Sequence, residues 1–229
     1  MKCDLVVMGD VLRDHVRNKS HIGKRIAECQ RRGKLADDNL VSQALMLHLE
    51  TLLQNYSSDD NKFGDGNDDF TKVGFILDGF PRTLQQAKNM LMWPEKLQLS
   101  FAINIEVPDS ICLSKMLGRR KCTVCKESFN LSDINTNDGF LMPPKLPSPY
   151  PCGRCDENKD WERRVDDTEE IIAKRIEEFH EKSAPVSQFF FTRDELVNFV
   201  PYNGVSDIGK MENLVKEQMQ QQRVPKVQR

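Results

Sequence analysis

No apolar run in the chain approaches the ~18 residues that a bilayer-crossing helix requires, so no membrane partner is expected. The amino terminus reads MKCDLVVMGD and lacks the apolar stretch and small-residue cleavage site of a secretion signal. An intracellular location follows as the expectation, with cytoplasm and organelle (mitochondrion or plastid) not distinguished. Positive charge is not in excess either: 33 Lys and Arg stand against 35 Asp and Glu, a formal charge of -2, so any anion site has to be local. Aromatic residues are sparse, and in the cysteine-bearing region Phe129, Phe140 and Tyr150 are too few for a base-stacking platform, which argues against a nucleic-acid partner. Internal repeats are absent, which excludes solenoid and propeller architectures.

The 229 residues and 38% hydrophobic content suffice for one large core carrying a small inserted lobe. Short apolar runs at Leu5–Met8, Val73–Leu77, Phe101–Ile105 and Leu196–Val200 alternate with segments of helical period. Helices are expected from Val11, capped by Asp10, over Ile22–Arg32, and from Asp37-Asp38 with Leu40, Ala44 and Leu47 on one face. Further helices are expected after Pro108-Asp109, after Asp166-Asp167, and over Ile208–Met219. This alternation predicts an α/β fold, a parallel sheet flanked by helices. The acidic stretch 57–69 reads as a surface loop. Between Lys121 and Arg164 the texture turns to Cys, Pro, Asn and Gly, which marks a separate lobe. The expected organisation is a core over 1–120, a lobe over 121–163, the rest of the core over 164–219 and a tail over 220–229.

DGFPRT at 78–83 is the most informative local pattern. It sets Asp78 at the carboxyl end of a strand and Arg82 in the turn that follows, where ligands bind in open α/β sheets. A guanidinium there can grip a phosphate through two bonds, and the carboxylate can orient water around magnesium. Gly9-Asp10 followed by Arg13 makes a second anion-ready corner at a helix start. Cys122-x2-Cys125 and Cys152-x2-Cys155 supply four thiolates in two knuckles, a donor set that suits a closed tetrahedral structural zinc. Gly204–Lys210 fits G-x4-G-K, but Met211 stands where a hydroxyl would hold magnesium, and the segment is read as a decoy.

GDVLRD, GKLADDNLV, DGFPRTLQQA, LGRR and RVDDTEEIIAKR occur in the order and spacing of adenylate kinases, and over roughly residues 5–205 the chain resembles that family. The resemblance implies a nucleoside monophosphate kinase fold and the reaction ATP + AMP to two ADP with magnesium, in a monomer. It assigns Arg13 and Arg82 to the AMP phosphate with Gly79 in the same turn, and sets Lys34, Leu35, Ala36 and Gln86 beside the adenosine. Arg119, Arg164 and Arg175 would contact phosphates in the closed state, Arg119 on the ATP side with Ser128 and Phe129 near that nucleotide. The cysteine lobe would be the family's mobile lid, zinc-bound in some members. Family members open with a strand, a G-x-P-G-x-G-K loop and a helix, which do not precede Cys3. The expectation is therefore an N-terminally incomplete member with an impaired donor side, or else an inactive AMP-binding or interaction protein that keeps its zinc lobe. Met8 and Lys115 depart from the family's usual hydroxyl and arginine at those positions.

Overall fold

In the computed structural model, residues 2–32, 36–57, 73–146 and 160–222 are described, and the chain divides into two compact units, Met1–Gln98 and Leu99–Arg229. The first unit is built on strand β1 (Lys2–Val7) paired in parallel with β2 (Val73–Asp78), in a register that sets Leu5 beside Ile76 and Val7 beside Asp78. Parallel neighbours need a long crossover. Here it carries the helices α1 (Met8–Arg17), α2 (His21–Arg31) and α3 (Asp38–Ser57).

Helix α1 starts directly after β1, three residues earlier than expected. Asp10 lies in its first turn, and Val7, the flanking residue, makes no side-chain cap. The Ser20 hydroxyl caps α2 by accepting the Gly23 N–H at 2.9 Å, and Asp37 Oδ1 accepts the Leu40 N–H at 2.8 Å at the start of α3. Helices α1 and α2 cross so closely that a Cβ on Gly23 would lie 1.9 Å from the His15 carbonyl oxygen. His15 ties the crossing to α3, its Nδ1 meeting Ser20 Oγ at 3.0 Å and its Nε2 meeting the Ala44 carbonyl at 3.0 Å. The buried stripe of α3 is Leu40, Ala44, Leu45 and Leu49, whereas Leu47 is 45% exposed. The inward face runs between the Ala44 and Leu45 rows, a quarter-turn from the stripe expected. Helix α4 (Leu84–Met90), capped by Thr83, adds Ala87 and Met90 to the core.

The second unit holds β3 (Ala102–Ile105) and helix α5 (Asp109–Leu117), then the short strands β4 (Arg119–Cys122), β5 (Ser128–Asn130), β6 (Ile134–Asn135), β7 (Leu141–Met142) and β8 (Trp161–Glu162). Helices α6 (Glu169–Lys182) and α7 (Ala184–Phe191), strand β9 (Leu196–Phe199) and helix α8 (Ile208–Gln222) complete it. Strand β3 pairs in parallel with β9, β4 takes β5 and β8 as antiparallel neighbours, and β6 pairs with β7. Among the described residues, then, parallel pairing consists of two separate pairs, one in each unit, rather than one ladder. The antiparallel strands fill the segment whose composition marked a lobe. That segment has too few apolar residues for a core of its own, and Ile134, Phe140 and Met142 pack with Ile111 of α5.

The segment Gly204–Lys210 is not a phosphate cradle. A 3-10 turn over Gly204–Asp207 leads straight into α8, and Lys210 Nζ is held by Asp207 Oδ1 at 2.8 Å. Asp207, buried, also accepts the Asn203 N–H at 2.7 Å; with the Lys210 and Asn203 bonds together, its carboxyl is held down to about 2. The remainder of the loop expected at 57–69 and the segment 147–159 lie outside the described residues.

Candidate active site

In the first unit the two predicted anion corners come from register neighbours. Val7 and Asp78 are paired at the carboxyl ends of β1 and β2, so the chain leaves the same edge of the sheet twice, into α1 and into the turn 79–83. Gly79 adopts a φ of 78°, open to glycine at little cost, and a Cβ there would stand 3.0 Å from Arg82 Nη2. Arg82 Nε donates to the Gly79 carbonyl at 3.1 Å, which folds the guanidinium back over the turn. Phe80, buried, stacks on Trp93 with centroids 5.9 Å apart and anchors the turn from beneath. On the α1 side, Arg13 Nη2 lies 2.5 Å from Asp10 Oδ1, and its guanidinium covers Gly9, where a Cβ would be 3.2 Å from Nη1. Asp78 ends β2 as an exposed carboxylate. Met8 is buried at the foot of α1 and offers no hydroxyl.

Gln86 is 5% exposed, and its amide is spoken for on both sides. Its Oε1 accepts the Arg82 N–H at 2.8 Å, and its Nε2 donates to Asp38 Oδ1 at 2.7 Å. The other carboxylate oxygen of Asp38 accepts the Thr83 hydroxyl at 2.7 Å. Of the residues expected along the adenosine, Ala36 sits half-buried just before α3, while Lys34 and Leu35 lie outside the described residues.

In the second unit the arginines gather where α5 runs into β4 and where α6 begins. Asp167, 1% exposed, takes Arg119 through two bonds, Nε to Oδ2 at 3.1 Å and Nη2 to Oδ1 at 2.5 Å. Its carbonyl accepts Arg163 Nη2 at 2.7 Å, and its N–H donates to the Arg164 carbonyl at 3.1 Å. Arg163, Arg164, Asp167 and Thr168 line a cleft of about 520 Å³ at the start of α6, whose first turn is capped by the Thr168 hydroxyl. Arg175, two turns into α6, pairs with Asp166 at 3.1 Å, both partners exposed, rather than with the helix neighbours at its own spacing. Lys115 Nζ donates to the Ser132 and Met142 carbonyls at 3.1 and 2.9 Å, and burial pushes its pKa down. It is a staple between α5 and the β6–β7 hairpin. Ser128 is exposed, but Phe129 is buried edge-on against Trp161, with centroids 4.2 Å apart.

Cys122 is buried and its sulfur accepts the N–H groups of Val124 at 3.3 Å and Cys125 at 3.4 Å, so the chain turns tightly around the thiol. Burial pushes this thiol up, and the bonds from Cys125 and Val124 outweigh that effect, leaving its pKa lowered. Among the described residues no three His, Cys, Asp or Glu side chains converge to hold a metal ion, and Cys152 and Cys155 lie outside them.

A family model described as adenylate kinase matches residues 2–195. The chain belongs to the adenylate kinase family. Among its relatives, a GTP:AMP phosphotransferase of Plasmodium falciparum is 32% identical over 201 residues, covering 87% of this chain and 79% of that protein. An adenylate kinase of Caldicellulosiruptor saccharolyticus is 32% identical over 205 residues, covering 88% of this chain and 81% of that protein. The chloroplastic adenylate kinase 1 of Arabidopsis thaliana is 28% identical over 207 residues, and there the chain spans 64% of the relative's length. Family members are phosphotransferases.

Reading the motifs alone missed Asp38, Asp167 and Arg163. The available signal was a doubled acid: Asp37-Asp38 and Asp166-Asp167 each stand before a helix, where one carboxylate is enough to cap. In both doublets the second residue turns inward and holds a partner that the motifs did identify.

Proposed function

We propose that the chain is an adenylate kinase that transfers the γ-phosphoryl group of ATP to AMP and forms two ADP. The observation that carries this reading is the pair of arginines, Arg13 and Arg82, at one carboxyl edge of the β1–β2 pair. The AMP phosphate would be held by both guanidiniums, with Gly79 leaving room for close approach. Gln86, Ala36, Lys34 and Leu35 would border the adenosine. From the second unit, Arg119, Arg164 and Arg175 would supply positive charge to the phosphates, and Ser128 and Phe129 would belong to the ATP side. Phosphoryl transfer asks little covalent work of a protein, only alignment and neutralisation of charge, a task suited to arginines.

Asp78, an exposed carboxylate at a strand end, suits the water shell of magnesium better than direct ligation. Magnesium, when bound with the triphosphate, neutralises its charge. The knuckle at Cys122 and Cys125 suits thiolate ligation, and with Cys152 and Cys155 it would hold a structural zinc in a lid over 121–163.

The test is ADP formation from AMP with MgATP or MgGTP, followed by a coupled assay, beside calorimetric titration of AMP. The ATP arm is expected to be active, with Arg82→Ala lowering kcat/KM by roughly 10²–10³-fold. Equal turnover by R82A would overturn the assignment of the phosphate corner. Turnover with GTP alone would replace the donor, and AMP binding without turnover would leave a binding protein.

A further inference from the structure

Gln86 cannot choose how its amide points. The Arg82 backbone N–H only donates and the Asp38 carboxylate only accepts, so the amide oxygen must face Arg82 and the amide nitrogen must face Asp38. Turning the amide over would set oxygen against a carboxylate and NH2 against N–H, at a residue with 5% exposure where water offers no compensation. Asp38 also grips Gln86 at its other end: its second oxygen takes the Thr83 hydroxyl, and Thr83 Oγ1 in turn accepts the Gln86 backbone N–H at 3.1 Å. Asp37 already caps α3 through the Leu40 N–H, so helix capping does not account for Asp38.

Each half of the fixed amide keeps one valence: the second lone pair of Oε1 and the second hydrogen of Nε2. Adenine offers an amino donor next to a ring-nitrogen acceptor at the edge bearing C6, which this amide complements. Hypoxanthine offers a carbonyl acceptor next to a ring N–H, the same two positions with the roles exchanged. An amide free to turn would serve either base, whereas a fixed one serves adenine alone. We propose that Asp38 is a positioning residue that locks the polarity of the Gln86 amide and thereby makes the acceptor site select adenine over 6-oxopurine monophosphates. The inference rests on the reading of Gln86 as the residue that faces the acceptor base.

Calorimetric titration of the full chain with AMP and with IMP tests it, because binding needs no donor nucleotide. The wild-type chain is expected to prefer AMP by roughly 10–100-fold, the worth of a two-bond base contact. Asp38→Ala removes the charged half of the lock, leaves the Arg82 N–H alone to orient the amide, and is expected to narrow that preference several-fold. Asp38→Asn, isosteric and able to present either oxygen or NH2, is expected to do the same and supplies the reading if D38A does not fold. Thr83→Ala weakens the α4 cap while sparing the Gln86–Asp38 bond, so it should lower the melting temperature and keep the AMP-to-IMP ratio. A D38N chain that binds both nucleotides more weakly with an unchanged ratio would overturn the inference and leave Asp38 a merely structural residue. A wild-type chain that binds no AMP would overturn the acceptor-site reading, and the inference with it.

Discussion

His15 and His48 show how much of this molecule is decided by single side chains whose partners lie far along the sequence. His15 reaches the Ala44 carbonyl on α3, and His48, half-buried on that same helix, has its pKa lowered, first by burial and then by the nearby His15. A histidine held below its ordinary value of about 6.5 takes up a proton more readily when unfolded. Its contribution is therefore neutral above that value, and stability falls as pH drops through it toward the folded-state pKa. The urea midpoint should decline as pH falls below about 6.5, and His48→Gln should flatten that part of the profile; a parallel decline in H48Q would assign the effect elsewhere. Histidines on helices carry no mark of such partners in the sequence. DGFPRT was legible because strand end, glycine and arginine are adjacent in the chain. Asp38 and Asp167 were not legible, because an acid before a helix reads first as a cap, and only the fold reveals what else it touches.

Among the elements, the crossing of α1 and α2 sets local propensity against packing. Gly23 sits inside the first turns of α2, where alanine would ordinarily stabilise a helix by about 1 kcal/mol. The His15 carbonyl occupies the space of that methyl group, so Gly23→Ala is expected to destabilise the chain by ~2 kcal/mol or more in urea unfolding. A stabilised G23A would mean that the helices separate at little cost. The period of α3 was legible and its rotation was not: Leu40, Ala44 and Leu47 share a face by spacing, yet packing chose the flank between Ala44 and Leu45. Helix starts shifted for a related reason. At α1 the backbone passes from strand to helix with no intervening turn, so Asp10 finds itself inside rather than before it.

For the molecule as a whole, the alternation of strands and helices was enough to anticipate an α/β chain, whereas the change of texture near Lys121 gave no hint that the segment pairs antiparallel, nor of the division after Gln98. Pairing was less accessible, since which strands neighbour one another depends on contacts distant in sequence, and the described strands form two parallel pairs rather than one ladder. The lobe's dependence on Ile111 also frames its expected zinc. Metal analysis should give one zinc per chain, and chelation should lower the melting temperature on the order of 5 °C while hydrogen exchange rises in residues 119–145. Cys122→Ser should reproduce the effect, and a chain free of zinc and indifferent to chelators would remove the clip.

Three of the five arginines assigned to phosphates already rest on a carboxylate. Arg13 rests on Asp10, Arg119 on Asp167 and Arg175 on Asp166. An arriving nucleotide therefore trades one anion for another rather than filling an electrostatic hole, and at the exposed pairs that trade involves well under ~1 kcal/mol. Charge alone then gains an anion little. Inorganic phosphate and stray polyanions should find the resting protein indifferent, residence should be brief for anything held by its phosphates alone, and discrimination should pass to the base and to the shape of the turn.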